Sequence, residues 1–386
     1  MIEQVDAVVL GGGISGSAAA QQLAARGWRT VLLDRQAFPR HKACGEFLSP
    51  EFQEMIGILG LAHLKEQLQP KRITGAKLIF HEGNTLEVEM PGEAWGISRY
   101  VLDEALHLEG MKAGVDVRNE TAVQKVRPLE EGYEIEYREG KEKKVLHARI
   151  AIAAWGSQPR SGILPDSTDK HTISKQRYIG LKAHYAGISV DGMVTELYFV
   201  PGGYIGLSPV EGDIVNAAGL ISLDAVKGKG THITEMIDTL ARENAALAQR
   251  LGRGTPIPGT ETSNAPVHLS DQPLAWRVIP HIGDAALMIP PLCGDGMSIA
   301  LRSALICSAI TDRYLQGEMD LVQFEIEYTR AVEEEFRGLL LRGRFIHKLC
   351  SHPQFTRYVP GLISKSPQLA AKLVQATRLK PLNQVR

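Results

Sequence analysis

The 386-residue sequence contains only four cysteines, and no two of them have the CxxC spacing. Cys44, Cys293, Cys307 and Cys350 are scattered, and no histidines stand near them at zinc-ligand spacing. This pattern argues against a disulfide framework and against a structural zinc site. Charge of one sign is also missing, since 43 Lys and Arg balance 44 Asp and Glu. The electrostatic footprint of a nucleic-acid-binding protein is therefore absent.

Long hydrophobic runs are absent too. No apolar stretch approaches the ~20 residues that a transmembrane helix requires. The first residues lack the basic and apolar regions of a signal peptide, so we expect a cytoplasmic protein. The tail at 369–374, with Lys365, Lys372, Arg378 and Lys380 around it, leaves open a peripheral contact with a membrane surface.

The order of the predicted elements indicates an α/β protein. An apolar run at 7–10 ends in a glycine turn, an Ala-rich helical stretch follows and stops at Gly27, and a β-branched run covers 30–33. Strand, glycine turn, helix and strand within about 30 residues form a βαβ unit.

Further elements follow from hydrophobic periodicity. They are a helix over 51–68, strands over 71–90, a helix over 100–113, a parallel strand at 115–117, a β-meander over 121–150, a buried strand at 150–154, strands over 176–223, a helix over 232–251, a helix over 297–315 and a helical region from 321.

The glycine turn has the chemistry of a dinucleotide site. It reads Gly11-Gly12-Gly13-Ile14-Ser15-Gly16. Gly11 permits the tight turn, Gly13 lets a pyrophosphate approach the backbone, and Gly16 lets the helix pack closely on the strand. The N–H groups at the helix start, from Ile14 and Ser15 onward, then face the phosphates. At the end of the next strand, Asp34 can accept hydrogen bonds from a ribose.

A second motif lies about 270 residues later. It reads Gly283-Asp284-Ala285-Ala286, then Pro290-Pro291-Leu292-Cys293-Gly294-Asp295-Gly296, and leads into the helix that starts at Met297. With the glycine turn, this segment resembles the FAD-dependent superfamily of p-hydroxybenzoate hydroxylase and, most closely in its motifs, the geranylgeranyl reductases. The resemblance implies that Asp284 binds the flavin ribityl chain. It also implies that Gly283, Pro291, Gly294, Gly296 and Met297 lie at the flavin ring.

The resemblance implies a domain arrangement as well. It predicts a doubly wound, Rossmann-like FAD-binding domain of the glutathione-reductase type, interleaved with a mostly β substrate domain and followed by C-terminal helices. The FAD-binding domain would comprise 1–70, 98–170 and 274–320. The substrate domain would comprise 71–97 and 171–273, and the helical segment 321–386.

Three further residues match cofactor positions of the superfamily. Arg99 resembles a helix-borne arginine that reaches FAD, although pairing with Asp103 one turn away is an alternative. Val123 stands where such enzymes hold the adenine by backbone contacts, but a meander valine can equally be core. Arg35 can cover the adenosine or simply be a surface charge.

One departure concerns the reductant. Many hydroxylases of the superfamily carry an Asp-Gly pair after a buried strand, and here Trp155 stands in the place of that Asp. FAD is expected to bind noncovalently, because no His or Cys stands at a defensible tether position. NAD(P)H is a candidate reductant, but Trp155 argues against direct reduction by NADPH.

The substrate side rests on two segments. The first, which contains Cys44-Gly45-Glu46, resembles the Cys-Gly-Glu segment of geranylgeranyl reductases near the flavin, so Cys44 is a candidate proton donor or redox partner. The second, from Gly202 to Pro209, resembles the strand over the substrate cavity, where Tyr204 can orient a substrate. Either side chain can instead be a packing residue. Lys182 and His184 share one strand face by alternation and can form a polar cavity wall.

These residues leave the reaction open between two types. The breadth of the superfamily favours a monooxygenase that hydroxylates a lipophilic small molecule with O₂ and reduced FAD. The alternative, favoured by Cys44 and Trp155, is a geranylgeranyl-reductase-like enzyme that reduces C=C bonds. A flavin-binding module without chemistry is the least favoured interpretation.

Overall fold

Two large β-sheets and eight helices make up the part of the chain that the structure describes. It is a computed structural model that describes residues 2–80, 83–157, 162–165, 177–190, 192–350, 375–376 and 378–380. The helices are α1 (Ile14–Ala25), α2 (Pro50–Ile58), α3 (Leu64–Leu68), α4 (Arg99–Lys112), α5 (Ile233–Ala241), α6 (Ala245–Leu251), α7 (Gly296–Leu315) and α8 (Leu321–Cys350). In these described residues, none of the helices combines the length and apolar character needed to cross a bilayer.

The first sheet contains the predicted βαβ unit. Its strands are β1 (Glu3–Leu10), β2 (Thr30–Leu33), β6 (Asp116–Arg118), β7 (Thr121–Pro128), β8 (Tyr133–Glu139) and β9 (Glu142–Ala153), in the order β6-β2-β1-β9-β8-β7. The neighbouring strands β6, β2, β1 and β9 pair in parallel. The strands β7, β8 and β9 form the predicted antiparallel meander. All four residues of β2 are buried, as expected for a parallel strand covered on both faces.

The second sheet has nine strands. They are β3 (Phe47–Leu48), β4 (Lys71–Ile79), β5 (Thr85–Gly96), β10 (Tyr178–Ala186), β11 (Val194–Val200), β12 (Gly203–Val210), β13 (Ile214–Ser222), β14 (Thr255–Pro256) and β15 (Thr262–Val267). The order is β14-β10-β13-β12-β11-β4-β5-β3, and β15 pairs with β10. A third, two-stranded sheet pairs β16 (Trp276–Arg277) with β17 (Ile279–Pro280).

Helices cover both sheets. On the first sheet, α1 packs against α4 and α7, and α7 in turn packs against α8. On the second sheet, α5 and α6 bury Leu240 and Leu247 against a face that includes Leu181 and Tyr185. The opposite face of the second sheet lines a space that reaches Gly13 and Ala154 at the end of the first sheet.

Three predicted element boundaries are wrong. The meander strand and the buried strand before Ala154 are one continuous strand, β9, which pairs with β8 along its first half and with β1 along most of its length. The helix over 232–251 divides into α5 and α6, because the Asn244 side chain accepts a hydrogen bond from the Leu247 N–H and starts a new helix there. The helix over 51–68 divides into α2 and α3 around Gly60, which has φ +76°.

The segment between β2 and β3 links the two sheets. The chain leaves the first sheet after Leu33 and enters the second sheet at Phe47. Cys44 and Glu46 therefore lie on a connection whose two ends belong to different sheets. The tail at 369–374, expected to be amphipathic, lies outside the described residues.

Candidate active site

The glycine turn has the geometry that its sequence predicts. Gly11 has φ +117°, and a Cβ atom there would lie 2.5 Å from the carbonyl oxygen of Ala154. A Cβ atom at Gly16 would lie 1.8 Å from the carbonyl oxygen of Gly11, so α1 approaches the turn at a distance that only glycine permits. At Gly13 the space is open, and only side-chain nitrogens of Arg99 and Lys42 come as near as 4.0 Å to a Cβ atom placed there.

Asp34 stabilises this turn from the end of β2. Its Oδ2 accepts hydrogen bonds from the Gly12 N–H at 2.7 Å and from Arg40 at 3.1 Å. Its Oδ1 accepts one from the Gln36 N–H at 2.9 Å. A carboxylate offers about four acceptor positions, so Asp34 retains capacity for one more donor besides its role in the turn.

The late Gly-Asp segment lies directly against the glycine turn. The Ile282 N–H donates to the Ala153 carbonyl at 2.9 Å, which sets this segment beside the carboxyl end of β9. A Cβ atom at Gly283 would lie 2.4 Å from Oγ of Ser15 in α1. The two motifs, far apart in sequence, therefore form one site, as the predicted fold requires.

A large cavity extends from this site into the space between the sheets. Its volume is about 350 Å³. Most of the predicted site residues line it: Gly13, Ile14, Ser15, Cys44, Arg99, Tyr204, Asp284, Pro291, Gly294, Gly296 and Met297. Away from the glycine turn, the walls are mainly apolar side chains: Ala76, Leu78, Phe80, Leu86, Val88, Leu197, Leu220, Val267, Ile346 and Leu349.

Two cations face the glycine turn across the cavity. Arg99 is buried and forms a bidentate ion pair with Asp103, at 2.6 and 2.7 Å. Arg99 therefore both lines the cavity and makes the pairing given above as the alternative. Lys42 is partly buried. Burial lowers its pKa and the charge of Arg99 lowers it further, whereas the charge of Asp284 raises it. An open glycine cradle with two cations opposite fits the pyrophosphate and ribityl parts of FAD.

Cys44 and Tyr204 lie together at the junction between the glycine turn and the apolar part of the cavity. The Cys44 thiol is 3.8 Å from Sδ of Met297 at the start of α7, and it accepts a hydrogen bond from the Glu46 N–H at 3.4 Å. It also interacts with the Arg99 guanidinium. Burial raises the pKa of Tyr204, and its phenol interacts with the thiols of Cys293 and Cys44. Both predicted catalytic side chains therefore face one space.

Other predicted residues lie elsewhere. Val123 is partly buried on β7 and Arg35 is exposed, and neither lines the cavity. Trp155 packs edge-on against His281, with ring centroids 5.5 Å apart. Gly283 and Gly16 do not line the cavity. They lie at the close contacts described above, with Ser15 and Gly11 respectively.

Two functional candidates escaped the sequence analysis. Lys42 precedes Cys44 by two residues but had no motif of its own. Arg378 was named only among the basic residues of the tail that leave a membrane contact open. It is buried, lines the cavity and pairs with Asp295 at 2.7 Å.

Asp295 supplies a testable pH dependence of stability. Burial raises its pKa from 3.8 to about 7, Glu51 adds to the shift, and Arg378 opposes it. A raised pKa in the folded state means that the stabilisation is complete below about pH 4 and is lost as the pH rises through about 7. We expect thermal unfolding curves to show wild type losing stability relative to Asp295→Asn over this range. If the difference in stability between wild type and Asp295→Asn is the same at every pH, the raised pKa of Asp295 is contradicted.

Comparisons with known proteins agree with the site. A protein-family profile described as FAD dependent oxidoreductase matches residues 6–50. The digeranylgeranylglycerophospholipid reductase 1 of Methanothermobacter thermautotrophicus is 25% identical over 350 residues, covering 87% of this chain and 84% of that protein. The digeranylgeranylglycerophospholipid reductase of Methanococcus vannielii is 25% identical over 363 residues, covering 88% and 85%.

Solved structures show the same fold. A geranylgeranyl bacteriochlorophyll reductase-like protein from Thermoplasma acidophilum superimposes with a TM-score of 0.79 at 19% identity, covering 98% of this chain and 96% of that chain. A myxobacterial FAD-dependent chondrochloren halogenase superimposes with a TM-score of 0.77 at 19% identity, covering 97% of both chains. The predicted combination of a Rossmann-like FAD-binding sheet, a β-rich second part and C-terminal helices is confirmed.

Proposed function

We propose that this chain, an FAD-dependent oxidoreductase, reduces carbon–carbon double bonds in the isoprenoid chains of a lipid. The observation that carries the proposal is the continuous cavity between the two sheets. It joins the glycine turn to a long apolar space, and Cys44 and Tyr204 lie where the two parts meet. Support also comes from relatives named as digeranylgeranylglycerophospholipid reductases, which match along most of the chain.

The chain's own residues account for cofactor binding. We propose that Gly11, Gly13 and the start of α1 hold the pyrophosphate, that Asp34 binds the adenosine ribose, and that Asp284 binds the ribityl chain. Arg99 and Lys42 neutralise the phosphates from the other side. When bound and reduced, FAD supplies a hydride equivalent. No residue in this set forms a covalent tether, so we expect FAD to be released on denaturation.

The second hydrogen of an alkene reduction must arrive as a proton. The Cys44 thiol and the Tyr204 phenol are two candidate donors at the junction of the cavity. We favour Cys44, because burial raises the pKa of the Tyr204 phenol. In this scheme the Cys44 S–H bond and the alkene π bond break, and the proton forms a C–H bond at one alkene carbon. Bound, reduced FAD would supply the hydride for the other carbon, and the thiolate would regain its proton from water.

The apolar part of the cavity suits a long isoprenoid chain. Side chains from β4 and β5 form one side, and residues near the end of α8 form the other: Leu78, Phe80, Leu86, Val88, Ile346 and Leu349. A chain placed there loses contact with water along its length, which favours binding through the hydrophobic effect. Polar groups are few on these walls, so selection among lipid substrates would depend on the shape and length of their chains.

The proposal is tested with a glycerophospholipid that carries geranylgeranyl chains. Purified protein is reduced anaerobically with dithionite, and the lipid is then analysed by mass spectrometry. We expect a gain of two hydrogens for each double bond reduced. Parallel reactions with NADPH and NADH identify the reductant, and slow reduction by NADPH is expected because of Trp155.

An oxygen pulse separates the two reaction types. Reduced protein mixed with the same lipid and then with O₂ is expected to yield no oxygenated product. Incorporation of one oxygen atom into the lipid, with no gain of hydrogen in the anaerobic arm, would establish the hydroxylase alternative instead.

A further inference from the structure

A buried carboxylate next to Cys44 binds three donors from two elements, β10 and α4. Oε1 of Glu46 accepts hydrogen bonds from Nζ of Lys182 at 2.6 Å and from the Arg99 N–H at the start of α4 at 2.9 Å. Oε2 of Glu46 is 2.6 Å from Nε2 of His184. Nζ of Lys182 also lies 3.1 Å from Nδ1 of His41. We call Glu46, Lys182, His184 and His41 the Glu46 cluster.

The members of the Glu46 cluster come from different parts of the fold. His41 and Glu46 belong to the connection between the sheets, and Lys182 and His184 belong to β10 of the second sheet. The side chains of Glu46 and Lys182 are completely buried, and His184 is 4% exposed. The cluster therefore attaches the connection that carries Cys44 to the second sheet.

Stability alone does not account for such a cluster. Moving an ammonium and a carboxylate out of water costs about as much as their attraction returns, so an apolar pair of similar volume would often serve as well. Burial would raise the pKa of Glu46, but His184 and Lys182 hold it below its usual range, so the carboxylate is charged. What the charged pair adds is a fixed geometry.

That geometry controls the surroundings of the Cys44 thiol. Glu46 has φ +55°, a left-handed conformation that is unusual for a residue with a side chain. In this conformation its own N–H points at the Cys44 sulfur, 3.4 Å away. Asn216 on β13 fixes the other side of the connection, because its Nδ2 donates to the Cys44 carbonyl at 3.0 Å.

We infer that Glu46 is a positioning residue that, through Lys182 and His184, fixes the Cys44 thiol for proton transfer to the substrate. The inference rests on the proposed function of Cys44. The three bonds to the carboxylate keep the Glu46 backbone left-handed, and this conformation keeps the thiol between its N–H and the Arg99 guanidinium. Glu46 itself transfers no proton in this scheme.

The first experiment uses Glu46→Gln, which keeps the shape of the side chain and removes its charge. We expect FAD to remain bound and alkene reduction to fall by about 10- to 100-fold, the size of effect known for small misplacements of a reacting group. A combined variant, Glu46→Gln with Lys182→Met, avoids an unpaired buried ammonium and is measured if the single variant fails to fold. Glu196→Gln is the matched control, because Glu196 is also buried on the second sheet and pairs with Arg250 at 2.9 Å and Tyr198 at 2.6 Å.

The decisive readout is the dependence on Cys44. In a Cys44→Ala background, Glu46→Gln is expected to cause no further loss of turnover, because there is no thiol left to position. If the double variant instead loses turnover by the product of the two single losses, Glu46 acts independently of Cys44. That result would show a general structural role and would overturn the inference.

A second readout does not depend on turnover. The rate of Cys44 alkylation by iodoacetamide, followed by mass spectrometry of the Cys44 peptide, is expected to change several-fold in Glu46→Gln and to stay unchanged in Glu196→Gln. This measurement holds even if wild type reduces no alkene, so failure of the proposed function and failure of the inference are distinguishable. An unchanged alkylation rate in Glu46→Gln would overturn the inference.

Discussion

Replacement of Cys44 by alanine is expected to leave FAD bound and to reduce alkene reduction by about 10²–10⁴-fold, the range typical of losing a positioned proton donor. FAD should remain because the residues proposed to hold it, Gly11, Gly13, Asp34 and Asp284, do not depend on the thiol. The cost to stability should be small, on the order of 1 kcal/mol, because the side chain is short and only partly buried. Flavin absorbance, steady-state turnover and thermal unfolding measure the three quantities separately.

Two control variants make this result specific. Cys307→Ala removes a thiol that is fully buried in α7 and does not line the cavity, so turnover should be preserved. Tyr204→Phe removes only a hydroxyl group from the same cavity and tests the other acidic side chain. Full activity in Cys44→Ala together with a large loss in Tyr204→Phe would transfer the proton-donor role to Tyr204.

The second large effect is expected at Gly16, where valine should weaken FAD binding. A Cβ atom at Gly16 would lie 1.8 Å from the Gly11 carbonyl oxygen and 3.0 Å from Cβ of Ala154. The only relief is to move α1 away from the turn, and overpacking of this kind typically costs about 1–3 kcal/mol. If that cost falls on the bound state, FAD affinity drops by roughly 5- to 150-fold. Titration of apo-protein with FAD, followed by quenching of flavin fluorescence, measures the change.

A glycine in a roomy position provides the matched control. Gly57 lies within α2, and a Cβ atom there would meet no heavy atom within 4 Å. Gly57→Ala is therefore expected to preserve FAD affinity and to stabilise the fold by up to about 1 kcal/mol, because alanine favours helix. Equal FAD affinity in Gly16→Val and wild type would mean that α1 does not form the cofactor cradle.

Prediction from sequence succeeds best where chemistry requires a particular residue at a particular place. The glycine turn has a recognisable spacing, and the resemblance to the FAD-dependent superfamily correctly paired it with the segment from Gly283 to Gly296. Lys182 and His184 were placed on one strand face, and both bind Glu46. Element boundaries were less predictable, since the break at Asn244 depends on one side-chain hydrogen bond.

Contacts between distant segments that carry no known motif could not be predicted. Glu46 follows Cys44 by two residues, yet its partners on β10 lie about 136 positions away and share no motif with it. Arg378 looked like a surface cation because its neighbours in sequence are basic, whereas its partner Asp295 lies 83 positions earlier. The type of reaction could not be predicted from the sequence either. Hydroxylation and C=C reduction use the same cofactor site and differ in whether O₂ or the alkene reacts with the reduced flavin. The first preference for hydroxylation has weaker support than reduction.

The position of the Gly-Asp segment beside β9 has a consequence for biosynthesis. The glycine turn and its strand partner are complete once residue 33 has been made, but the opposite wall of the cradle waits for Gly283 to Gly296. At the usual rates of translation, this interval lasts roughly 13–53 seconds. During that time the nascent chain has half of a phosphate site and no surface against which a flavin could be held. We therefore expect ribosome-bound chains that expose fewer than 296 residues to capture no FAD, so the cofactor joins the protein late in its synthesis.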